Sequence, residues 1–255
     1  MGSALATAAL LLTASPALPN HSWATYHWAR TSNPFTLKLG DNVSTTWDPY
    51  LNEADSDWSA SSVLDSTIVA GGTKPKSCRP TRGRVEVCSA RYGYNGWLGL
   101  AQVWVSGGHI TQAITKLNDS YFSTATYNTP GWKRLVMCQE VGHAFGLDHQ
   151  DEDFDNPNLG TCMDYTDDPH GPPSNEHPNT HDYDQLNLIY SHFDDSTTIA
   201  VTAQARPSTD DGGTSPADWG RAVAFTAEGK PRVFLKRLGP GRWLRTHVLW
   251  IEGRR

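Results

Sequence analysis

The sequence has no run of eighteen apolar residues, the length that one helix needs to cross a bilayer, so we expect no membrane span. It has no internal repeat and no general excess of basic charge. The net charge is −6, and the first 215 residues carry 12 basic and 24 acidic side chains, whereas residues 216–255 carry nine and three. An acidic body argues against a nucleic-acid-binding main domain. The basic C-terminal segment could contact a polyanion, or simply the acidic body.

The N-terminal segment lacks lysine and arginine but contains a short apolar run at residues 4–12. This run is too short to span a bilayer and has the length of a signal-peptide core, and small residues allow cleavage after Ala17. We therefore expect residues 1–20 to be a signal-peptide-like leader and the protein to be extracellular.

Cysteine is scarce, but the four cysteines form an even set, which in a secreted protein indicates disulfides. Three pairings are possible. Cys78 and Cys88 flank a turn-rich stretch that could close a hairpin, which would leave Cys138 with Cys162. Four buried free thiols are the alternative. A cysteine-only zinc site would need closely spaced cysteine pairs, which the sequence does not have.

The hydrophobic pattern predicts an α+β domain at residues 21–195. Residues 35–39, 63–70, 85–90, 98–105 and 110–117 have the composition or alternation of strands. Thr129 and Pro130 suit the start of a helix that should end at Gly146, and a second helix is predicted over residues 182–192. Residues 196–216 have the composition of a linker. Residues 217–255 alternate between apolar and polar side chains, and we interpret them as a small β appendage.

One stretch of the first helix, residues 138–149, carries candidate chemistry. Gln139 and His143 are four positions apart and share a helix face, with Glu140 close to that face. Gly146 can adopt a positive φ and turn the chain back, which would bring His149 to the same point as His143. Two imidazoles beside a carboxylate can form a zinc site, with Glu140 as the general base toward a water activated by the metal.

These residues resemble the metzincin signature H-E-x-x-H-x-x-G-x-x-H of zinc metalloproteases. Residues 161–165, which contain Met163 and Tyr165, resemble the Met-turn of that clan, and residues 96–101 and 110–118 resemble strands of its matrixin-like members. The resemblance covers about residues 21–195. It implies a secreted zinc endopeptidase with a twisted mixed sheet, an active-site helix and a peptide or protein substrate.

The sequence departs from the signature at its first ligand, where Gln139 replaces histidine. Its amide oxygen can bind zinc but is a weaker donor than imidazole. Gln139 could be an unusual third ligand beside His143 and His149. Tyr165, His109, His170 or His177 could instead supply that ligand, or the site could be degenerate.

Further roles follow from the resemblance. Met163 would support the metal site by packing, and Tyr165 could approach the metal or stabilise an oxyanion. A Cys138–Cys162 bond would tie the active-site helix to the Met-turn. The edge strand at residues 98–105 would bind an extended peptide by strand addition.

Two other interpretations concern calcium and catalysis. Asp151, Asp153 and Asp155 alternate as in a calcium loop, but Asn156 stands where an EF-hand needs glycine, so a solvated acidic loop is favoured over a calcium site. The rival to an enzyme is an inactive metzincin-like pseudoprotease that uses its cleft or the basic segment as a binding module. Gln139 favours the rival, and Glu140 with His149 favours the enzyme.

Overall fold

The computed structural model describes residues 20–23, 25–199, 211–226 and 228–251. The leader expected at residues 1–20 lies outside this part of the chain except for Asn20, and so does much of the linker expected at residues 196–216. No helix of the described residues has the length and apolar character that a membrane crossing requires.

The described residues form nine β-strands and five helices. In chain order they are β1 (His27–Trp28), β2 (Phe35–Asn42), α1 (Asp48–Trp58), β3 (Leu64–Ala70), β4 (Val85–Ala90), β5 (Trp97–Ser106), β6 (His109–Asn118), α2 (Asp119–Phe122), α3 (Pro130–Ala144), α4 (Thr180–Ile189), α5 (Pro216–Trp219), β7 (Arg221–Phe225), β8 (Pro231–Gly239) and β9 (Arg242–Trp250).

All nine strands belong to one mixed sheet in the order β3-β2-β4-β6-β5-β9-β8-β7, with β1 paired to the first residues of β6. The pairs on the β3 side of β6 and the β1–β6 pair are parallel, whereas β6–β5 and all pairs beyond it are antiparallel. The fold is α+β, as the hydrophobic pattern predicts.

Helix α3 begins where the sequence predicts. The Thr129 hydroxyl accepts a hydrogen bond from the Trp132 N–H, and Pro130 occupies the first turn. Almost every side chain of the helix is buried because α3 lies between α1 and strands β5 and β6. The Trp58 indole of α1 donates to the Cys138 carbonyl at 3.1 Å and fixes the two helices together.

The C-terminal strands β7 to β9, predicted from the sequence as a small β appendage, extend the main sheet. Strand β9 pairs with β5 over nearly its whole length, from Trp97↔Trp250 to Ser106↔Arg242. A bare β5 would present a row of unpaired backbone groups, and β9 satisfies them. The expectation that residues 98–105 are a free edge for a peptide is therefore wrong, since β9 occupies that edge.

Two disulfides cross-link the structure. Cys78 bonds to Cys88 beside the sheet, and Cys138 of α3 bonds to Cys162. The second bond ties the helix that carries Glu140 and His143 to the turn that contains Met163.

Candidate metal centre

His143 and His149 meet as the sequence predicts. Helix α3 ends at Ala144, and Gly146 has φ 105°, a conformation that turns the chain back on itself. The Nε2 atoms of His143 and His149 then lie 3.1 Å apart. The Leu147 carbonyl accepts a hydrogen bond from Nδ1 of His143 at 2.9 Å, so Nε2 of His143 keeps a free lone pair.

A third imidazole, that of His247, completes the cluster. His247 lies on strand β9, and its ring centroid is 3.8 Å from that of His143 and 4.4 Å from that of His149. One ring nitrogen from each of the three histidines lies within 4.8 Å of the others. The sequence does not indicate His247 as a ligand, because nothing in the alternation of residues 217–255 shows which strand β9 will pair with.

The donor set fits zinc. His143 and His247 are 0% exposed, and His149 is 5% exposed. Burial lowers the pKa of His143 to about 4 and holds the pKa values of His149 and His247 well below their usual range, so all three are neutral at pH 7. Neither ring nitrogen of His247 has a hydrogen-bond partner. Three buried, neutral imidazoles with converging lone pairs are a recognised zinc ligand set.

Glu140 lies three positions before His143 on α3, and it is fully buried with no hydrogen-bond partner for either oxygen. Burial raises its pKa well above the usual range. Its side chain lies against β5 at Gly99, where an added Cβ would be 2.5 Å from Oε1 of Glu140. A buried carboxylate without a hydrogen-bond partner lowers the free energy of unfolding. Its presence therefore indicates that the group binds a proton or a ligand.

The side-chain amide nitrogen of Gln139 anchors α3 to the turn that contains Met163. Its side-chain amide donates to the Cys162 carbonyl at 2.9 Å, beside the disulfide that joins Cys138 to Cys162. The amide oxygen is buried and has no partner. The structure thus brings His143, His149 and His247 together and gives Gln139 a link between α3 and the Met-turn.

Met163 packs against α3, and Tyr165 lies beside His149. A Cβ built on Gly142 of α3 would be 2.8 Å from Sδ of Met163, so the methionine is in direct contact with the helix. The Tyr165 ring centroid is 4.2 Å from that of His149, and the buried Tyr165 hydroxyl has no hydrogen-bond partner.

The other candidate third ligands lie with different partners. His170 is exposed and contacts Glu176 at 2.6 Å, and His177 contacts Asp57 at 2.8 Å. His109 lies in a separate cluster with His27.

Nothing in the structure supports calcium at residues 151–155. The Asp151 carboxylate accepts hydrogen bonds from the Asp153 N–H and the Asn156 amide, and the Asp153 carboxylate accepts one from the Asp155 N–H. These side chains stabilise the turns of their own loop, as expected for a solvated acidic loop.

Basic residues of the C-terminal strands pair with acidic residues beside His149. Arg232 contacts Asp148 at 3.1 Å and also pairs with Glu152, while Arg245 lies 3.9 Å from Asp148. The guanidinium of Arg245 also covers the Trp23 ring at 5.2 Å. The basic segment therefore contacts the acidic body, and these ion pairs hold β8 and β9 over the metal centre.

No protein-family model and no curated protein matches the chain. It is similar to the solved structure of myroilysin, with 12% identity, 64% of this chain and 96% of that chain covered, and a TM-score of 0.36. It is also similar to high choriolytic enzyme 1, a hatching enzyme zinc-protease of the medaka fish Oryzias latipes, with 13% identity, coverage of 65% and 94%, and a TM-score of 0.36. Identities and TM-scores this low leave the function to be inferred from the chain's own site.

Proposed function

We propose that the protein is a zinc-dependent endopeptidase whose metal is held by His143, His149 and His247. The observation that supports this is the convergence of three buried, neutral imidazoles, together with a buried carboxylate on the same helix as His143, that of Glu140, whose oxygens have no hydrogen-bond partner. Zinc, when bound there, supplies the Lewis acidity that polarises a scissile carbonyl and lowers the pKa of water.

Glu140 is the proposed general base. Burial raises the pKa of Glu140 above that of an ordinary carboxyl group, which makes the carboxylate a stronger base toward water, and the protonated group can then return the proton to a leaving amine. Gly99 leaves the room that this side chain needs against β5. Tyr165 is the proposed hydrogen-bond donor to the developing oxyanion, because its hydroxyl has no partner and its ring centroid lies 4.2 Å from that of His149.

The proposed substrate is a peptide or protein that binds without pairing with β5 as an additional strand. Since β9 already occupies that edge, an extended chain has no free strand to pair with there. The imidazoles are almost inaccessible, so a substrate has to reach them by local movement of the surrounding segments. We propose an extracellular location, which the two disulfides support because such bonds persist in oxidising compartments.

A second candidate function is a metzincin-like pseudoprotease that binds a partner without cleaving it. Two observations favour this function: β9 covers the edge of β5, and all three imidazoles are buried. In this alternative the metal is structural and ties β9 to α3.

Cleavage of a peptide library by zinc-loaded protein separates the two functions. We expect internal cleavage by the wild type, none by Glu140→Gln, and the same zinc content in both. Glu53→Gln is the matched control, because that carboxylate lies on α1 and pairs only with Arg134 and His177. Cleavage that persists in Glu140→Gln would contradict the mechanism, and zinc-loaded wild type that cleaves nothing would favour the pseudoprotease.

A further inference from the structure

A second cluster of imidazoles surrounds Asp194, away from the metal centre described above. His27 of β1 and His109 of β6 are paired in register across the parallel β1–β6 ladder. Oδ1 of Asp194, which follows α4, lies 3.3 Å from Nε2 of His27, 3.1 Å from Nε2 of His109 and 3.7 Å from Nε2 of His192. Three ring nitrogens from three segments of the chain therefore converge on one carboxylate oxygen.

The hydrogen bonds around the cluster leave ligand atoms pointing inward. Nδ1 of His27 lies 2.8 Å from the Thr25 carbonyl. A carbonyl only accepts, so Nδ1 carries the proton and Nε2 of neutral His27 presents a lone pair to Asp194. A lone pair that faces a carboxylate oxygen is repulsive unless a proton or a metal ion lies between them. Fixing Nδ1 in this way is also how proteins orient a histidine that binds a metal.

Asp194 is fixed from its other side. Its Oδ2 accepts hydrogen bonds from the Arg30 N–H at 3.0 Å and from the Arg30 guanidinium at 3.2 Å, which leaves Oδ1 for the imidazoles.

We propose that His27, His109 and Asp194 form a second transition-metal site that takes zinc, with His192 beside it. Ligand atoms about 2.0–2.1 Å from one tetrahedral zinc ion are separated from one another by roughly 3.3 Å. Oδ1 of Asp194 lies 3.3 Å from Nε2 of His27 and 3.1 Å from Nε2 of His109, which matches that separation, and one ligand atom from each of the three residues lies within 4.8 Å of the others. Two imidazole nitrogens beside one carboxylate oxygen favour zinc or a similar metal over calcium or magnesium, which prefer oxygen ligands.

An ion can reach this site directly from solvent. His27, His109 and His192 line a surface cavity of about 400 Å³, and the side chains of His109 and His192 are 33% and 55% exposed. A metal there would join β1, the β5–β6 hairpin and the segment after α4. Its role is therefore to stabilise the N-terminal strand against the sheet, and it is independent of Glu140 and His143.

The test is zinc content per chain after loading with zinc chloride and gel filtration at pH 7.5. We expect two zinc ions in the wild type and one in both His109→Ala and Asp194→Asn. His109 is partly exposed, so its variant keeps the fold even if Asp194→Asn, which frees Arg30, does not. His170→Ala is the matched control, because that exposed histidine also contacts a carboxylate, Glu176, but no other histidine, and it should keep both ions.

The outcomes distinguish this site from the catalytic one. One zinc in the wild type and none in His109→Ala would support the second site and refute the metal centre at His143, His149 and His247. A zinc content that His109→Ala leaves equal to that of the wild type would overturn the second site. Loss of zinc from His170→Ala to the same extent would also overturn it, because the effect would then be nonspecific.

Discussion

Replacing His247 by leucine should remove zinc from the metal centre while leaving the fold intact. Leucine fills most of the volume of the imidazole, and neither ring nitrogen of His247 holds a hydrogen bond that the fold would lose. A structural zinc site with four ligands is worth about 10–16 kcal/mol, so one ligand contributes about 3–4 kcal/mol. The substitution should therefore weaken zinc binding by a factor on the order of 10² to 10³.

Gln139→Leu is the matched variant, because it introduces the same side chain at the other candidate for the third ligand. It breaks the hydrogen bond to the Cys162 carbonyl and should lower the free energy of unfolding by about 1–3 kcal/mol. Its zinc affinity should stay within a few-fold of the wild type, since the three imidazoles supply the proposed ligand set without Gln139.

Competition with a chelator of known affinity measures both variants. The titrations are best made in the His109→Ala background, so that a single site is observed, with circular dichroism as the check of folding. Zinc affinity that falls in Gln139→Leu and holds in His247→Leu would refute the three-histidine centre and restore Gln139 as the third ligand.

Three further predictions concern activity and stability. Gly99→Ala places a methyl group 2.5 Å from Oε1 of Glu140, so peptide cleavage should fall sharply with zinc content unchanged, as activity and elemental assays would show. Removing the Cys138–Cys162 bond, whose cysteines are 24 positions apart, should lower the free energy of unfolding by about 3 kcal/mol in urea titrations, and an unchanged midpoint would contradict this. Burial raises the pKa of Asp164 to about 6, so its ionisation costs stability as pH rises from about 4 to about 6. Asp164→Asn should remove about 1–2 kcal/mol of that pH-dependent loss in denaturation curves recorded at several pH values.

The local part of the site could be predicted from the sequence because local rules determine it. Thr129 and Pro130 start α3, and Gly146 ends it and turns the chain, so the spacing from His143 to His149 suffices to bring those two imidazoles together. The α+β character follows in the same way from alternation and helix signals along the chain.

The third imidazole could not be predicted because it depends on which strands pair. The alternation in residues 217–255 indicates strands but does not say that β9 adds to β5, so His247 gave no signal in the sequence. The resemblance to the metzincin signature instead directed attention to the first position of the motif, Gln139. Backbone pairing between distant segments, together with the ion pairs of Arg232 and Arg245, determines where that strand lies.

The same reason explains the cluster at Asp194. His27, His109 and Asp194 come from three segments that meet only through the β1–β6 ladder and the chain after α4. His109 was considered only as a possible ligand of the first site, because its sequence neighbours give no indication of Asp194.

Anomalous diffraction at the zinc edge from crystals of the zinc-loaded protein would locate the metal and identify its ligands. We expect a peak about 2.0–2.1 Å from one nitrogen each of His143, His149 and His247, with the Gln139 side-chain N–H still donating to the Cys162 carbonyl. A peak bound by the Gln139 oxygen in place of His247, or no peak among the three imidazoles, would contradict this expectation.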